Sequence, residues 1–447
     1  MLTVNPKETL CFHSPYPEMV RGLVEHLRDR WGTCSASLTN LGPRYSRRQK
    51  VVNERQLNCC LNRLTAELEP CGRSRPDREG LREQVLPLAA EVAKVTFGLE
   101  DQHIAALGSY GFVEAIQEFV RKARRFDAAI SAADLYQAGR NAWSMIFIQL
   151  MLGLPVEVTP SVLAYSLLYP YTDNYLDDPA MTLGDKKSFS ARIRQRLEGR
   201  RVSPASSHEQ KIFDLLGMIE VQYERGLHPE VYDSLMAVHR AQTNSLNLQH
   251  PNLSQWARDV LGIIFEKGGT SVLADGYLVA GSLTPPQREL MFYYGAFTQL
   301  MDDLEDVDGD LRSGIMTMFS QTARHGPLDA LTNRTIHLGA GLLESIHAFE
   351  VPGLEPLEEI MRRCITPILI DSAGRAGHLY SRPYLVELEE HFPFRFSNLK
   401  QQRKKAMCRL SADRIFELVL TSEDDVPPQN SGRVLRSIFR VPEGMDR

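Results

Sequence analysis

With 447 residues, 43% of them hydrophobic and 24% charged, the chain has the composition of a globular protein of one large or two ordinary domains, not of a disordered, collagenous or fibrous one. A net charge of −5 carries no footprint of a surface built to coat nucleic acid, so no nucleic-acid partner is expected. The acids are nevertheless unevenly placed: six of the 56 fall between Asp302 and Asp310, with no lysine or arginine among them.

In chain order, Met1 to Cys11 is polar and has no apolar signal core. Seven cysteines, none in a Cys-x-x-Cys pair, argue against a disulfide framework or a zinc site and point to a reducing, cytoplasmic setting. Residues 1–95 are rich in arginine, cysteine and polar side chains and read as a helical extension or cap. Residues 96–390 read as the main helical domain, and 391–447 as a C-terminal extension, partly flexible, with a weakly ordered tail from Ser422. Between Gly111 and Arg125, Phe112, Ala115, Ile116, Phe119 and Ala123 recur at three- and four-residue steps, which predicts an amphipathic helix. The same period predicts helices over Asp134–Leu152, Gln210–Glu224, Ser254–Gly281, Pro286–Asp306 and Leu354–Ile370. No run of four or more residues alternates cleanly with period two, so the fold class is all-α.

The longest apolar run, Met145 to Val156, is broken by Gln149 and Pro155 and falls short of the ~20 residues of a membrane span, so no transmembrane segment is expected. Gly153-Leu154-Pro155 closes one helix. Thr159-Pro160 opens the next, with threonine as cap and proline at the first helical position, and Thr284-Pro285-Pro286 starts another. Glu198 to His208 is a polar loop.

Two acidic clusters carry the chemistry. In Asp173-Asn174-Tyr175-Leu176-Asp177-Asp178, Asp173 and Asp177 are four residues apart and share a helix face, and Pro179 then stops the helix. Like charges at a helix C-terminus destabilise it unless a cation is bound. In Asp302-Asp303-Leu304-Glu305-Asp306-Val307-Asp308-Gly309-Asp310, Asp302, Asp306 and Asp310 step by four and line one face if the helix continues through Gly309. The cluster emerges from the apolar stretch Met291 to Met301, and buried carboxylates need partners; magnesium commonly takes one or two protein carboxylates plus substrate phosphate oxygens. A single acidic run is most often a solvated helix face. Two runs, each following an apolar helix and each built mainly of aspartate, supply both walls of a metal site.

Gly295 to Asp306 (GAFTQLMDDLED) resembles the G-x-x-x-Q-x-x-D-D-x-x-D second aspartate-rich motif of trans-prenyl diphosphate synthases. It is also similar to the second metal motif of class I terpene synthases, with Asp302, Asp306 and Asp310 at the ligand positions; Asp306 stands where serine or threonine is usual, and Asp310 where glutamate is. The first cluster resembles the D-x-x-x-D-D form of squalene and phytoene synthases, and Asp173 precedes Asp302 by 129 residues. The resemblance spans roughly residues 110–385 and implies the class I isoprenoid synthase helical bundle with a central apolar pocket. It further implies a prenyl diphosphate substrate and three Mg2+ ions held by Asp173, Asp177, Asp178, Asp302, Asp303, Asp306 and Asp310. Asp173, Asp177, Asp302 and Asp306 are then catalytic, and a homodimer is compatible with the family.

The same resemblance implies diphosphate contacts for Arg258, Lys267, Arg382 and Tyr384. Gln299, an amide in an apolar helix one turn before Asp303, is a further substrate-binding candidate. Tyr165, Tyr169, Phe147, Trp143, Phe292, Tyr293 and Phe297 flank the clusters and are candidates for the pocket wall, although such residues are more often plain core. No P-loop, nucleophile elbow or His-Glu-x-x-His motif is present. The expected activity is a Mg2+-dependent class I terpene synthase that ionises a linear prenyl diphosphate, cyclises or quenches the carbocation and releases diphosphate. Chain elongation is the alternative, disfavoured because Gly42 to Arg48 is a poor match to Gly-Gly-Lys-x-x-Arg-Pro. Head-to-head condensation and an inactive prenyl-diphosphate-binding subunit remain the others.

Overall fold

The computed structural model describes residues 15–39, 41–68, 78–177, 181–245, 248, 259–346, 351, 353–407 and 416, without the side chains of 78, 79, 177, 183 and 404–407. These residues form eighteen α-helices and no strand. The first group is α1 (Tyr16–Thr33), α2 (Arg47–Leu68), α3 (Arg78–Phe97), α4 (Asp101–Ser109), α5 (Phe112–Phe126) and α6 (Ala132–Met151). Next come α7 (Pro160–Asp177), α8 (Leu183–Leu197), α9 (Ser207–Gln222), α10 (Pro229–Ser245), α11 (Val260–Ala280) and α12 (Pro285–Glu305). The last are α13 (Val307–Ser313), α14 (Met318–Ala323), α15 (Asp329–Ile346), α16 (Glu355–Arg375), α17 (Arg382–Glu390) and α18 (Phe396–Met407).

The helices start where capping chemistry allows. Thr159 accepts from the Val162 amide at 3.3 Å ahead of Pro160, and Thr284 forms a reciprocal capping box with Gln287 ahead of Pro285. α9 begins at Ser207, three residues before the apolar period predicts, because the Ser206 hydroxyl accepts from the Glu209 amide at 3.1 Å. In α5 the predicted stripe is the buried face: Phe112, Ala115, Ile116, Phe119 and Ala123 are all enclosed. α7 ends at Asp177, ahead of Pro179, although the chain between 178 and 180 lies outside the described residues.

α11 is the central helix. Its only charged residues are Glu266, Lys267 and Asp275, and it packs against α1, α6, α7, α10 and α12. α1 shares this core: Trp31 meets Phe265 edge-on at 6.2 Å and Tyr16 meets Tyr277 at 6.0 Å. The residues read as an N-terminal cap therefore bury their first helix in the same core as the main bundle, while α2 and α3 pack on each other and α3 on α16. Glu54 of α2 holds Arg395 through both its guanidinium and its backbone amide, tying the C-terminal helices to the N-terminal ones. Among the described residues no helix is long and apolar enough to cross a membrane.

Candidate active site

The site begins with two glycines. α11 and α12 are antiparallel neighbours, and where they cross a Cβ on Gly268 would lie 2.3 Å from the Gly295 carbonyl oxygen. A Cβ on Gly295 would lie 2.2 Å from the Gly268 carbonyl oxygen. Only glycine at both positions lets the backbones approach this closely. The crossing sets Lys267, one residue before Gly268, beside the acidic end of α12, where its charge acts on Asp302, Asp303 and Asp310.

The acids divide by face. Asp303 is 5% exposed; its Oδ1 accepts from Gln299 Nε2 at 2.8 Å, and its Oδ2 is buried with no hydrogen-bond partner. Burial pushes its carboxyl up to about 7, against the pull of Gln299 and Lys267. Asp310 is pushed up to about 6, again chiefly by loss of hydration, with Asp306 adding and Thr317 and Lys267 opposing. Asp302 is open to water yet recessed: loss of hydration raises its carboxyl, Arg140 opposes, and Asp306 and Glu305 add. The helix expected to run through Gly309 is interrupted: α12 ends at Glu305 and α13 begins at Val307, with Asp306 as the cap between them, and the bonds from the Asp306 amide to the Asp302 carbonyl and from the Asp310 amide to the Asp306 carbonyl, both at 2.9 Å, join the two. Glu305 and Asp308 face the other way. Glu305 pairs with Arg375 at 2.7 Å and Asp308 with His378 at 3.2 Å.

The Asp303 carboxyl has an ordinary value of 3.8, so its folded pKa is raised, and in that window the folded chain holds a proton the unfolded chain has lost. The stability this proton represents is complete below about pH 4 and is lost as pH rises through about 7. Asp303→Asn cannot ionise and escapes the loss. Its stability relative to wild type, followed by thermal melting of the metal-free protein, is expected to be flat near pH 4 and to grow by roughly 2–4 kcal/mol towards pH 8. A pH-independent difference would remove Asp303 as the titrating group.

The first cluster comes to the same place. Asn174 donates to Asp134 of α6 at 2.6 Å. On the opposite side, His208 stacks on Tyr175 at 4.5 Å and bonds the Tyr171 carbonyl at 2.7 Å, while Lys211 and the Tyr171 hydroxyl both reach Asp127. With those faces occupied, the stripe Tyr165, Tyr169, Asp173 turns inward. The Tyr169 hydroxyl lies in the fields of both Asp173 and Asp302, and burial with these two negative charges raises it above the usual tyrosine range.

A recess follows from which side chains water can still reach. Between Ser161 and Tyr171 of α7 only Tyr165 and Tyr169 keep accessible surface; between Gly268 and Val279 of α11 only Ser271 and Val272 do; between Leu290 and Leu300 of α12 only Tyr294, Thr298 and Gln299 do. Tyr165 and Tyr294 are strongly desolvated by the surrounding fold yet keep accessible surface, so that surface faces an enclosed space and not open solvent. The stripes face one another: the Tyr165 hydroxyl of α7 lies near Ser271 and in the fields of Asp275 and Asp173, and Asp302 lies in the field of Arg140 of α6. Arg140, Trp143, Ser144 and Phe147 form the matching stripe on α6. Asp173, Asp302, Lys267 and Arg140 thus come together at one end of these helices with the half-exposed Tyr169 beside them, and Tyr165 and Tyr294 lie further in.

Other predicted residues are dispersed. Phe292, Tyr293 and Phe297 are fully enclosed core; Tyr293 lies under Arg30 of α1 and Phe297 against Gly339 of α15. Tyr384 is buried between α15 and α17, where its hydroxyl donates to Asn333 at 2.7 Å and its ring stacks on Tyr380, so the fold does not bring it to the carboxylates. Arg382 is exposed at the first position of α17. Arg258, Asp178 and the Asp177 side chain lie outside the described residues. One residue that sequence reasoning missed belongs to the site: Arg140, on a helix face otherwise read as pocket wall, whose charge acts on Asp302.

Among the described residues no three acidic, histidine or cysteine side chains converge into a ready-made metal cage. A scan against known protein families finds none that matches the chain, and a search of characterised proteins finds no relative. The chemistry of the site therefore rests on its own geometry: under-compensated carboxylates and two cations at the mouth of an aromatic recess.

Proposed function

We propose that the recess is the active site of a class I isoprenoid synthase, which ionises a linear prenyl diphosphate, cyclises or quenches the allylic carbocation and releases diphosphate. The observation that carries this reading is the meeting of two aspartate-bearing helix ends, α7 and α12, at the mouth of a recess whose deeper walls are tyrosine and aliphatic. A substrate with a polyanionic head and a hydrocarbon tail matches that polarity end for end.

Magnesium fits the donors at the mouth: Asp303 carries a buried, unpartnered oxygen, and burial holds the Asp303 and Asp310 carboxyls at about 7 and about 6, as expected of acids that lack a compensating cation. Asp173, Asp302, Asp303, Asp306 and Asp310 would hold it, with Asp177 and Asp178. When bound, the metal neutralises the diphosphate and makes it a better leaving group. Lys267 and Arg140 approach from the opposite walls and bind diphosphate oxygens through charge-assisted hydrogen bonds. Gln299 orients the Asp303 carboxyl. Tyr165, Tyr169 and Tyr294 present ring faces that stabilise positive charge, and the surrounding helices exclude the water that would quench it early.

Elongation is the second reading, favoured by the Gln299–Asp303 pair. Against it, Arg44 in the segment that would bind the second diphosphate is taken up by an exposed pair with Glu390 of α17 at 3.1 Å. The test is incubation with prenyl diphosphates of increasing length and Mg2+, with and without isopentenyl diphosphate, followed by extraction and mass spectrometry. Hydrocarbon or alcohol from one substrate is the expected result. A longer diphosphate formed only with isopentenyl diphosphate shifts the assignment to elongation, and no turnover of any substrate overturns it.

A further inference from the structure

The helices that wall the recess stop showing accessible surface at one level. On α12 the accessible positions step by a turn, from Asp302 to Thr298 to Tyr294, and the next on that face, Leu290, is 4% exposed. On α7 they run from Asp173 to Tyr169 to Tyr165, and the next, Ser161, is enclosed. On α11 Lys267, Ser271 and Val272 keep accessible surface, and 273–279 are all buried. Below that level the walls meet. The Ser161 hydroxyl donates to the Leu278 carbonyl at 2.7 Å, which joins α7 to α11. A Cβ on Gly276 would lie 3.1 Å from Met291 Cγ, so α11 touches α12 there as well. Level with Tyr294 itself, a Cβ on Gly295 would lie 2.9 Å from the Val272 Cβ. On these three walls the recess is closed at its inner end, and Tyr165 and Tyr294 are the last side chains open to it.

We propose that the recess takes a linear prenyl diphosphate of at most three isoprene units, and that the ring of Tyr294, at its inner end, sets that limit. This rests on the reading of the recess as a prenyl diphosphate site given above. Eight residues separate Asp302 from Tyr294, and eight separate Asp173 from Tyr165, which at ~1.5 Å per residue puts the tyrosines about 12 Å below the carboxylates. An isoprene unit adds four main-chain carbon–carbon bonds of about 1.5 Å each and advances about 5 Å when extended. A three-unit tail, about 15 Å long, spans that depth with its diphosphate head just outside the carboxylates, whereas a four-unit tail of about 20 Å overruns the floor. Of the two floor residues, Tyr294 is the one whose removal lengthens the recess. A helical side chain leans towards the N-terminus of its helix, so the Tyr294 ring lies over Leu290 and Met291, two aliphatic side chains with room to yield. Tyr165 leans instead towards Ser161, where the hydrogen bond to the Leu278 carbonyl holds α7 and α11 together.

The experiment measures kcat/KM for diphosphate release by wild type, Tyr294→Ala and Tyr294→Phe, with Mg2+ and geranyl, farnesyl or geranylgeranyl diphosphate, whose tails are two, three and four units long. Folding is checked by melting temperature. Wild type is expected to favour farnesyl over geranylgeranyl diphosphate at least tenfold, since a closed apolar pocket discriminates that strongly against even a few surplus carbons. Tyr294→Ala is expected to raise the ratio of geranylgeranyl to farnesyl use at least tenfold, and Tyr294→Phe, which keeps the ring, to leave that ratio within twofold of wild type. Should alanine not fold, Tyr294→Leu serves in its place, with a shift in the same direction. Equal use of the two substrates by wild type overturns the depth limit. A wild-type ratio in a folded variant lacking the ring overturns the role of Tyr294. Absence of release from all three substrates by the wild type overturns the underlying reading of the recess, and the length limit with it.

Discussion

Asparagine at position 302 is expected to lower diphosphate release by at least about a thousandfold while leaving the melting temperature unchanged or slightly raised. Asp302 makes no side-chain hydrogen bond or ion pair among the described residues, so the fold does not depend on its charge. That charge is held in a recessed position beside Asp306 and Glu305, which repel it, and facing Arg140 and Lys267 from the neighbouring walls. Removing it relieves repulsion within the cluster and, on the function proposed above, removes a charge on which assembly of a metal–diphosphate head would depend. Single preorganised electrostatic contacts of this kind are worth about a hundredfold to a thousandfold in rate, and loss of a bridging charge sits at the upper end. Glu305→Gln is the control three residues away. Its carboxylate is held by Arg375 on the α16 side, so the variant is expected to keep turnover within a few-fold. An Asp302→Asn enzyme within tenfold of wild type would remove that aspartate from the mechanism.

Gly268→Val is expected to destabilise the protein by at least about 3 kcal/mol and to abolish the site together with it. The new Cβ lands 2.3 Å from the Gly295 carbonyl oxygen and 2.5 Å from the Gln299 Cβ. Backbone atoms of a packed helix cannot rotate away as a side-chain tip can, so α11 and α12 must separate. Lys267 then moves off Asp303, and Gln299 loses its position. Gly295→Ala meets the same obstacle from the other side. Because one displacement relieves both clashes, the Gly268→Ala/Gly295→Ala pair should cost clearly less than the sum of the two singles, a coupling that thermal or denaturant melts of the three variants would read directly. Gly217→Ala on α9, where an added Cβ meets nothing within 4 Å, should be neutral or stabilising.

Much of this architecture was legible in the residues. The apolar period of α5 placed its buried face, and the Thr-Pro signals at Thr159 and Thr284 marked the starts of α7 and α12, because capping and core-facing periodicity are local properties. The acidic clusters were legible as unusual for the same reason: aspartates four residues apart at the end of an apolar helix conflict with local stability. Illegible were partners set by packing. Arg140 reads as an ordinary arginine on a mixed helix face, and only the packing of α6 and α12 on the same central helix, α11, gives it Asp302 to act on. Tyr384 has the residue type expected of a diphosphate contact, yet its hydroxyl is taken up by Asn333. The N-terminal residues looked polar enough for a separate cap, but Tyr16, Leu27 and Trp31 at helical spacing suffice to bury α1.

By itself, the sequence determined that this protein is helical, where several of its helices begin, and that two of them end in clustered carboxylates. Each of these follows from backbone hydrogen bonding and charge over a turn or two of chain. Tertiary structure alone decided that Asp303, not only its four-residue neighbours, is the deeply buried acid, that Glu305 and Asp308 turn away to Arg375 and His378, and that the charge of Lys267 acts on Asp302, Asp303 and Asp310. Those outcomes depend on how far one helix can approach another, and here that distance is set by two facing glycines whose pairing no local pattern announces.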